Sequence, residues 1–294
     1  MKFYYEQTFE LTSLEELEIS WKSGEIEFVP VEAEEPQIEE GAESPPFAVK
    51  ILERANREIT DENHAFVSHQ GGTLQIDWKK QKGLFSLFNF EFIQKNLQVE
   101  IPRYVYDKLQ SIHCENISGS ILLYDIWPKE ISLESVSGNI EAHKTQSQKA
   151  DFTTISGRIS VKEITADSIS LSSTSGKIVA EDIDVSDFHA ENISGSIEAD
   201  GALKKAKAGT VSSAVTLSSS RTPHQIEAES IAGKISVYIP KESQFTAKYE
   251  SISGKFYTGF QGSYTDGEFV VGNGSSQFDF STTSGAIEVN YWQQ

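Results

Sequence analysis

The sequence predicts an all-β fold, a single-stranded parallel β-helix or β-solenoid of about 19 residues per coil, and three observations predict it. The heptapeptide ENISGSI stands at 115–121 and again at 191–197. Related segments lie between and after these copies, among them ESVSGNI, TTISGRI, SIAGKI, SISGKF and TTSGAI. Their glycines Gly119, Gly138, Gly157, Gly176 and Gly195 are 19 apart, and the same slot falls on Ser213, Gly233, Gly254 and Gly285 as the spacing loosens. Around each corner the apolar residues hold fixed offsets, as in Ile112, Cys114, Ile117, Ile121 and Leu123, then Ile131, Leu133, Val136, Ile140 and Ala142.

Offsets of two place residues on one face of a strand, and the offsets of three and four mark bends after which the chain points inward again. Ile117 and Val136, and at the same position of later units Ile193, Val211 and Ile231, are thus expected inside the coil. Successive coils stack as parallel strands about 4.8 Å apart. A glycine at each corner is expected to supply a positive φ, which L-residues adopt at a cost of about 1 kcal/mol or more. Ser213 then stands out as the weakest corner. A column of short polar residues, Asn116, Ser135, Thr154, Ser173, Asn192, Thr210, Ser230, Ser251 and Thr282, precedes the corners and reads as a hydrogen-bonded structural ladder.

A parallel stack needs covered ends. Residues 1–105 read as an N-terminal β cap with the first coils: LEELEISWKSGEIEFVP gives two strands around Ser23-Gly24, and TLQIDW and NLQVEIP give further strands. Within it, Ser44, the following prolines, and Ala48, Ile51, Leu52, Ala55 and Ile59 at helical spacing predict a short helix near 45–59. Residues 106–294 read as the regular solenoid, with a hairpin inserted near 259–276 as its closure.

Composition narrows the partners. The net charge is −19, and Glu6 to Glu43 holds 13 acids while Lys2 and Lys22 are the only bases in the first 43 positions. Such a field repels nucleic acid and anionic membranes. One cysteine, Cys114, excludes an intrachain disulfide and reads as a buried small side chain. No signal-peptide pattern and no apolar run of the roughly 18 residues needed for a membrane span is present, so a cytoplasmic location is expected, or envelope association if an anchor has been removed.

No catalytic, cofactor-binding or metal-binding grouping emerges. An acidic pair such as Asp182 and Asp184 lacks the long loops that would wall a substrate cleft, and His113 and His189 lie too many coils apart to share a metal. His64 and His69 read as loop residues. The apolar segment GLFSLFNFEFI at 83–93, with Phe85, Phe88, Phe90 and Phe92, reads first as a cover for the open end of the core and second as a partner-docking patch.

Taken together, the segments LEISWKSGEIEFVP, TLQIDW, NLQVEIP, the serial Ser-Gly units and GNGSSQFDFSTTSGAIEV resemble the bacterial putative-adhesin family of β-strand-repeat proteins, including the LiaG-like proteins associated with cell-envelope stress operons. The resemblance implies a right-handed parallel β-helix with an envelope or adhesive role and no catalytic residues. The expected function is a non-enzymatic binding or scaffold module linked to envelope stress, with a protein or envelope component as partner and no cofactor. Membrane association is expected only through that partner or the aromatic patch. A cell-surface adhesin or carbohydrate binder is the alternative, and a carbohydrate-active enzyme ranks below both.

Overall fold

Aliphatic and β-branched residues alternate with polar ones along most of this chain, which is the pattern of strands with one face buried. The computed structural model describes residues 1–37, 44–60, 62–78 and 93–292, and these are all-β apart from one helical turn. By internal packing the chain divides into two units, Met1–Ser147 and Gln148–Gln294.

The first unit contains β1 (Phe3–Leu11), β2 (Glu16–Ser23), β3 (Ile26–Val31), β4 (Phe47–Ala55), β5 (Phe66–Gln70), β6 (Thr73–Asp77), β7 (Lys95–Pro102), the helical turn α1 (Arg103–Tyr106), β8 (Ser111–Ser118), β9 (Ile121–Tyr124), β10 (Glu130–Ser135) and the start of β11 (Ile140–Thr154). They form two ladders. In one, β6, β2, β8 and β10 are parallel, with β5 antiparallel outside β6. In the other, β7, β3, β9 and β11 are parallel, with β4 and then β1 antiparallel beyond β7. Like side chains stack in register: Ile19 on Cys114 on Leu133, and Ile26 on Ile121 on Ile140, all buried. The rung β2–β3 therefore lies between β6–β7 and β8–β9, so spatial order departs from chain order.

The helix expected near 45–59 is a strand, β4, paired on both sides by β1 and β7. Val49, Ile51, Glu53 and Ala55 face inward at strand period, and two flanking edges that need partners outweigh local helix propensity. Glu53 imitated the polar face of a helix. It is fully buried beside Lys95, whose Nζ donates to Glu53 Oε2 at 2.6 Å and to the carbonyls of Asn63 and Trp78 at 2.8 and 2.7 Å. The ammonium also lies 4.8 and 4.5 Å from the ring centroids of Trp21 and Trp78. Trp21 Nε1 donates to the Lys95 carbonyl and the Ala65 amide donates to Glu53 Oε1, so the pair ties five chain segments together.

The second unit holds the rest of β11, β12 (Ile159–Ser173), β13 (Ile178–Asn192), β14 (Ile197–Thr210), β15 (Val215–Ser219), β16 (Gln225–Ser230), β17 (Ile235–Ile239), β18 (Phe245–Ser251), β19 (Phe256–Thr258), β20 (Ser263–Thr265), β21 (Glu268–Val271), β22 (Ser276–Thr282) and β23 (Ile287–Tyr291). Strands β12 to β14 pair parallel, setting Ile159, Ile178 and Ile197 in one file and Leu171, Ala190 and Ala208 in another. Beyond β14, β16 pairs with β22 and β22 with β18, while β17 pairs with β23 and β23 with β19. The last rung in sequence is thus inserted beneath the one before it. The hairpin β20–β21 joins antiparallel to the outer side of β18, and Phe245, Phe260, Phe269 and Phe278 pack under it with ring centroids 4.8–6.5 Å from that of Phe245.

Most corners are built by the short polar residue three positions before the glycine. The Gly138, Gly176, Gly195, Gly233 and Gly285 amides donate to the side-chain oxygens of Ser135, Ser173, Asn192, Ser230 and Thr282 at 2.8–3.0 Å. Several of these side chains also donate to the corner carbonyl of the adjacent rung: Ser173 to Gly157, Asn192 to Gly176, and Ser230 to Ser213. The polar column is therefore satisfied, and buried at every position except the half-buried Ser251.

Two expectations about the corner are corrected. Positive φ is not what glycine supplies at most corners, since among the corner glycines of the regular array only Gly119 has it, at 117°. The requirement is close approach: a Cβ on Gly176 would lie 1.6 Å from the Gly157 carbonyl oxygen, and one on Gly233 1.5 Å from that of Ser213. Left-handed backbone falls instead at a second bend, at Asp125 and Lys144 in the first unit and at Glu163 and Asp182 in the second. Ile117 and Val136, expected inside, are 54% and 45% exposed, because strict alternation along the strand turns the polar residue before them inward and them outward. Their stacking still holds through the Val136 amide to the Asn116 carbonyl and the Ser137 amide to the Ile117 carbonyl.

Gly176→Ala is expected to destabilise the fold by at least about 2 kcal/mol in urea unfolding, since backbone lies on the far side of the contact. Gly209→Ala, where a Cβ meets nothing within 4 Å, is expected to be neutral or stabilising by about 0.5 kcal/mol. Lys95→Met is expected to cost about 3–5 kcal/mol by stranding the Glu53 carboxylate, and a second change, Glu53→Met, to recover much of that loss in the same assay.

Candidate functional site

In the strand segment Ala190-Glu191-Asn192-Ile193 the alternation is in, out, in, out, and the same holds one rung on for Ala208-Gly209-Thr210-Val211 and one further for Ala228-Glu229-Ser230-Ile231. The buried alanines and the corner-forming polar residues fix this register, so Ile193, Val211 and Ile231 have no choice but to face solvent, 51%, 41% and 55% exposed. Ile155 and Ile252 occupy the same position in their rungs and are also exposed. An aliphatic stripe results, running across the rungs of the second unit.

Beside the stripe lies a groove of about 490 Å³. Its floor is Gly209, which pairs with Glu191 on one side and Glu229 on the other. The missing side chain leaves a notch between two carboxylates whose strands are two spacings apart, about 10 Å. Ile193, Val211 and Ile231 line one wall, and none of the lining residues is basic. Glu191 accepts from or pairs with His189 Nε2 at 3.1 Å, and Glu229 forms no ion pair among the described residues. Further out, Lys207 bridges to Glu227 on the next rung at 2.5 Å, and Lys205 stands 3.8 Å from Asp187.

The other residues singled out from sequence do not converge. Asp184 pairs with Arg221 at 3.1 Å, and Asp182 sits at the left-handed bend, both exposed. His113 pairs with Glu115 as His189 does with Glu191, each within its own strand. His64 stacks on Tyr5 at 5.0 Å. Cys114 is buried, and burial pushes its thiol well above the ordinary value, which leaves it un-ionised and inert. Among the described residues no group of three or more His, Cys, Asp or Glu side chains is placed to hold a metal ion, and no helix is long and apolar enough to cross a membrane. Phe85, Phe88, Phe90 and Phe92 lie outside the described residues. The corner residues Gly119, Gly138, Gly157, Gly176, Gly195, Gly233, Gly254 and Gly285 belong to the fold's construction. Sequence reading missed the groove because it placed Ile193, Val211 and Ile231 inside; strict period-two alternation from Ala190 onward would have found it.

No curated protein matches this sequence. Among solved structures, the chain is similar to a "putative adhesin" from Parabacteroides distasonis, at 11% identity over 97% of this chain and 96% of that one with a TM-score of 0.54. It is also similar to a "putative lipid binding protein" from the same organism, at 15% identity over 98% and 97% with a TM-score of 0.52. At these identities the likeness is one of fold. The family match reaches further, because residues 38–290 fit the pattern of Toastrack DUF4097, and with that span of rungs, corners and closing hairpin accounted for, the chain belongs to the Toastrack DUF4097 family of β-solenoid repeat proteins.

Proposed function

We propose that this protein is a non-enzymatic, adhesin-like binding module whose aliphatic stripe and adjoining groove contact a protein or envelope component. The observation that carries the reading is that the stripe is not required by the fold. Thr174 and Thr283 occupy the same rung position as Ile155, Ile193, Val211, Ile231 and Ile252, so a polar residue is accepted there. Aliphatic residues repeated in an exposed file, where the core gains nothing from them, point to contact with another molecule. The descriptions of the two similar structures, a "putative adhesin" and a "putative lipid binding protein", agree with a binding role.

Finer features belong to the same proposal. The coil takes about 19 residues, supported by the steps from Ile159 to Ile178 to Ile197, and we take it as right-handed. Residues 1–105 serve as the cap of an array formed by 106–294. The site of action is the cell envelope, reached through the partner, in a role tied to envelope stress.

The double variant Ile193→Ser, Ile231→Ser tests the reading. Both positions are exposed, so its unfolding free energy is expected to stay within about 1 kcal/mol of the parent. Co-sedimentation with bacterial envelope fractions is expected to drop at least about tenfold relative to the parent. Equal retention of parent and variant, or no retention of the parent, overturns the proposal.

A further inference from the structure

The groove beside the stripe says more about its occupant than that one exists. Its lining combines an aliphatic wall from Ile193, Val211 and Ile231 with two carboxylates, Glu191 and Glu229, and no basic residue. Lys207, two positions before Gly209 on the same face, is within electrostatic reach of both carboxylates, but its ammonium is held by Glu227 outside the lining. Gly209 separates the two carboxylates and leaves space one side chain wide between them, since a Cβ there would meet nothing within 4 Å. A lysine or arginine side chain fits this combination: its aliphatic stem lies along an apolar wall while its charged head reaches carboxylates at the end of that wall. The surrounding field favours the same sign, with a net charge of −19 over the chain.

We infer that the groove over Gly209 receives a lysine- or arginine-bearing extended segment of a protein partner, the cationic head between Glu191 and Glu229 and the stem against Val211. The inference rests on the binding role proposed above and names the chemistry of the partner at that site. A second copy of this chain is disfavoured, because stripe-to-stripe docking would bring the Glu191 and Glu229 files of two strongly acidic molecules together. An anionic lipid surface is disfavoured for the same reason. The glycine adds a structural argument: side chains occupy this column at Ser172, Glu191, Glu229 and Ser281, so Gly209 alone opens it within the groove.

The test is a calorimetric titration of the full chain with two synthetic nonapeptides, one alternating lysine with valine and one alternating glutamate with valine. The lysine peptide is expected to bind, with affinity falling as salt is raised from about 50 to about 300 mM, and the glutamate peptide is expected not to bind. Gly209→Phe, which fills the notch from a position with open space, and Glu229→Lys, at an exposed site, are each expected to weaken the lysine peptide at least tenfold while circular dichroism and thermal midpoint stay at parent values. Binding of the lysine peptide that both variants leave unchanged overturns the inference, as does equal binding of the glutamate peptide or no binding of either. If no peptide binds while the serine variant still loses envelope retention, the basic-segment inference fails and the binding role stands. If the lysine peptide binds through Gly209 and Glu229 while envelope retention is absent, the inference stands and the envelope role fails.

Discussion

Everything in this molecule depends on how closely one rung can approach the next at the Ser-Gly corner. There the backbone turns with its amide and carbonyl groups aimed into the stack, where water does not reach, and an unpaired group would cost about 1–3 kcal/mol. A short side chain solves both problems at once: the Ser173 hydroxyl accepts the Gly176 amide and donates to the Gly157 carbonyl one rung away. Asn192 does the same with its two amide atoms, toward Gly195 and Gly176. The glycine is then needed because those carbonyls stand where a Cβ would go. One hydrogen-bonded node fixes the polar column, the glycine column and the spacing between rungs, and the apolar files follow.

That node also explains the exposed stripe. With Asn192 drawn inward by its hydrogen bonds, Ile193 must point out. The exposed stripe is set by the same alternation that builds the core, and its residue type can change without disturbing the stack, as Thr174 and Thr283 illustrate. Gly209 differs in kind from the corner glycines. Its space is open, so what it gives is an absence on the surface and not a fit in the interior.

The all-β repeat architecture and its solenoid character were legible in the sequence because each repeat restates the same local rule. What the rule does not contain was not legible. The third apolar position was misread because offsets of three and four around the corner concealed an unbroken alternation from Cys114 through Asn116. The strand β4 was misread as a helix because its inward Glu53 looks polar until Lys95, 42 positions later, is placed against it. Gly209 was lost among glycines of another purpose. The interleaving of the end rungs depends on which distant strands pair, and no local pattern reports that.

The placement of β22 and β23 inside the array has a bearing on how the chain matures. Among the described residues, 245–258 have no parallel neighbour until 276–291 exist, for β18 and β19 take their parallel partners from β22 and β23. A polypeptide emerging from the ribosome can pair β12 to β17 in the order they are made, as far as residue 239, but the next turn gains its parallel partner only when translation is nearly complete. Phe278 of β22 stacks on Phe245 at 4.8 Å, so the aromatic cluster around Phe245 is completed only by that late strand.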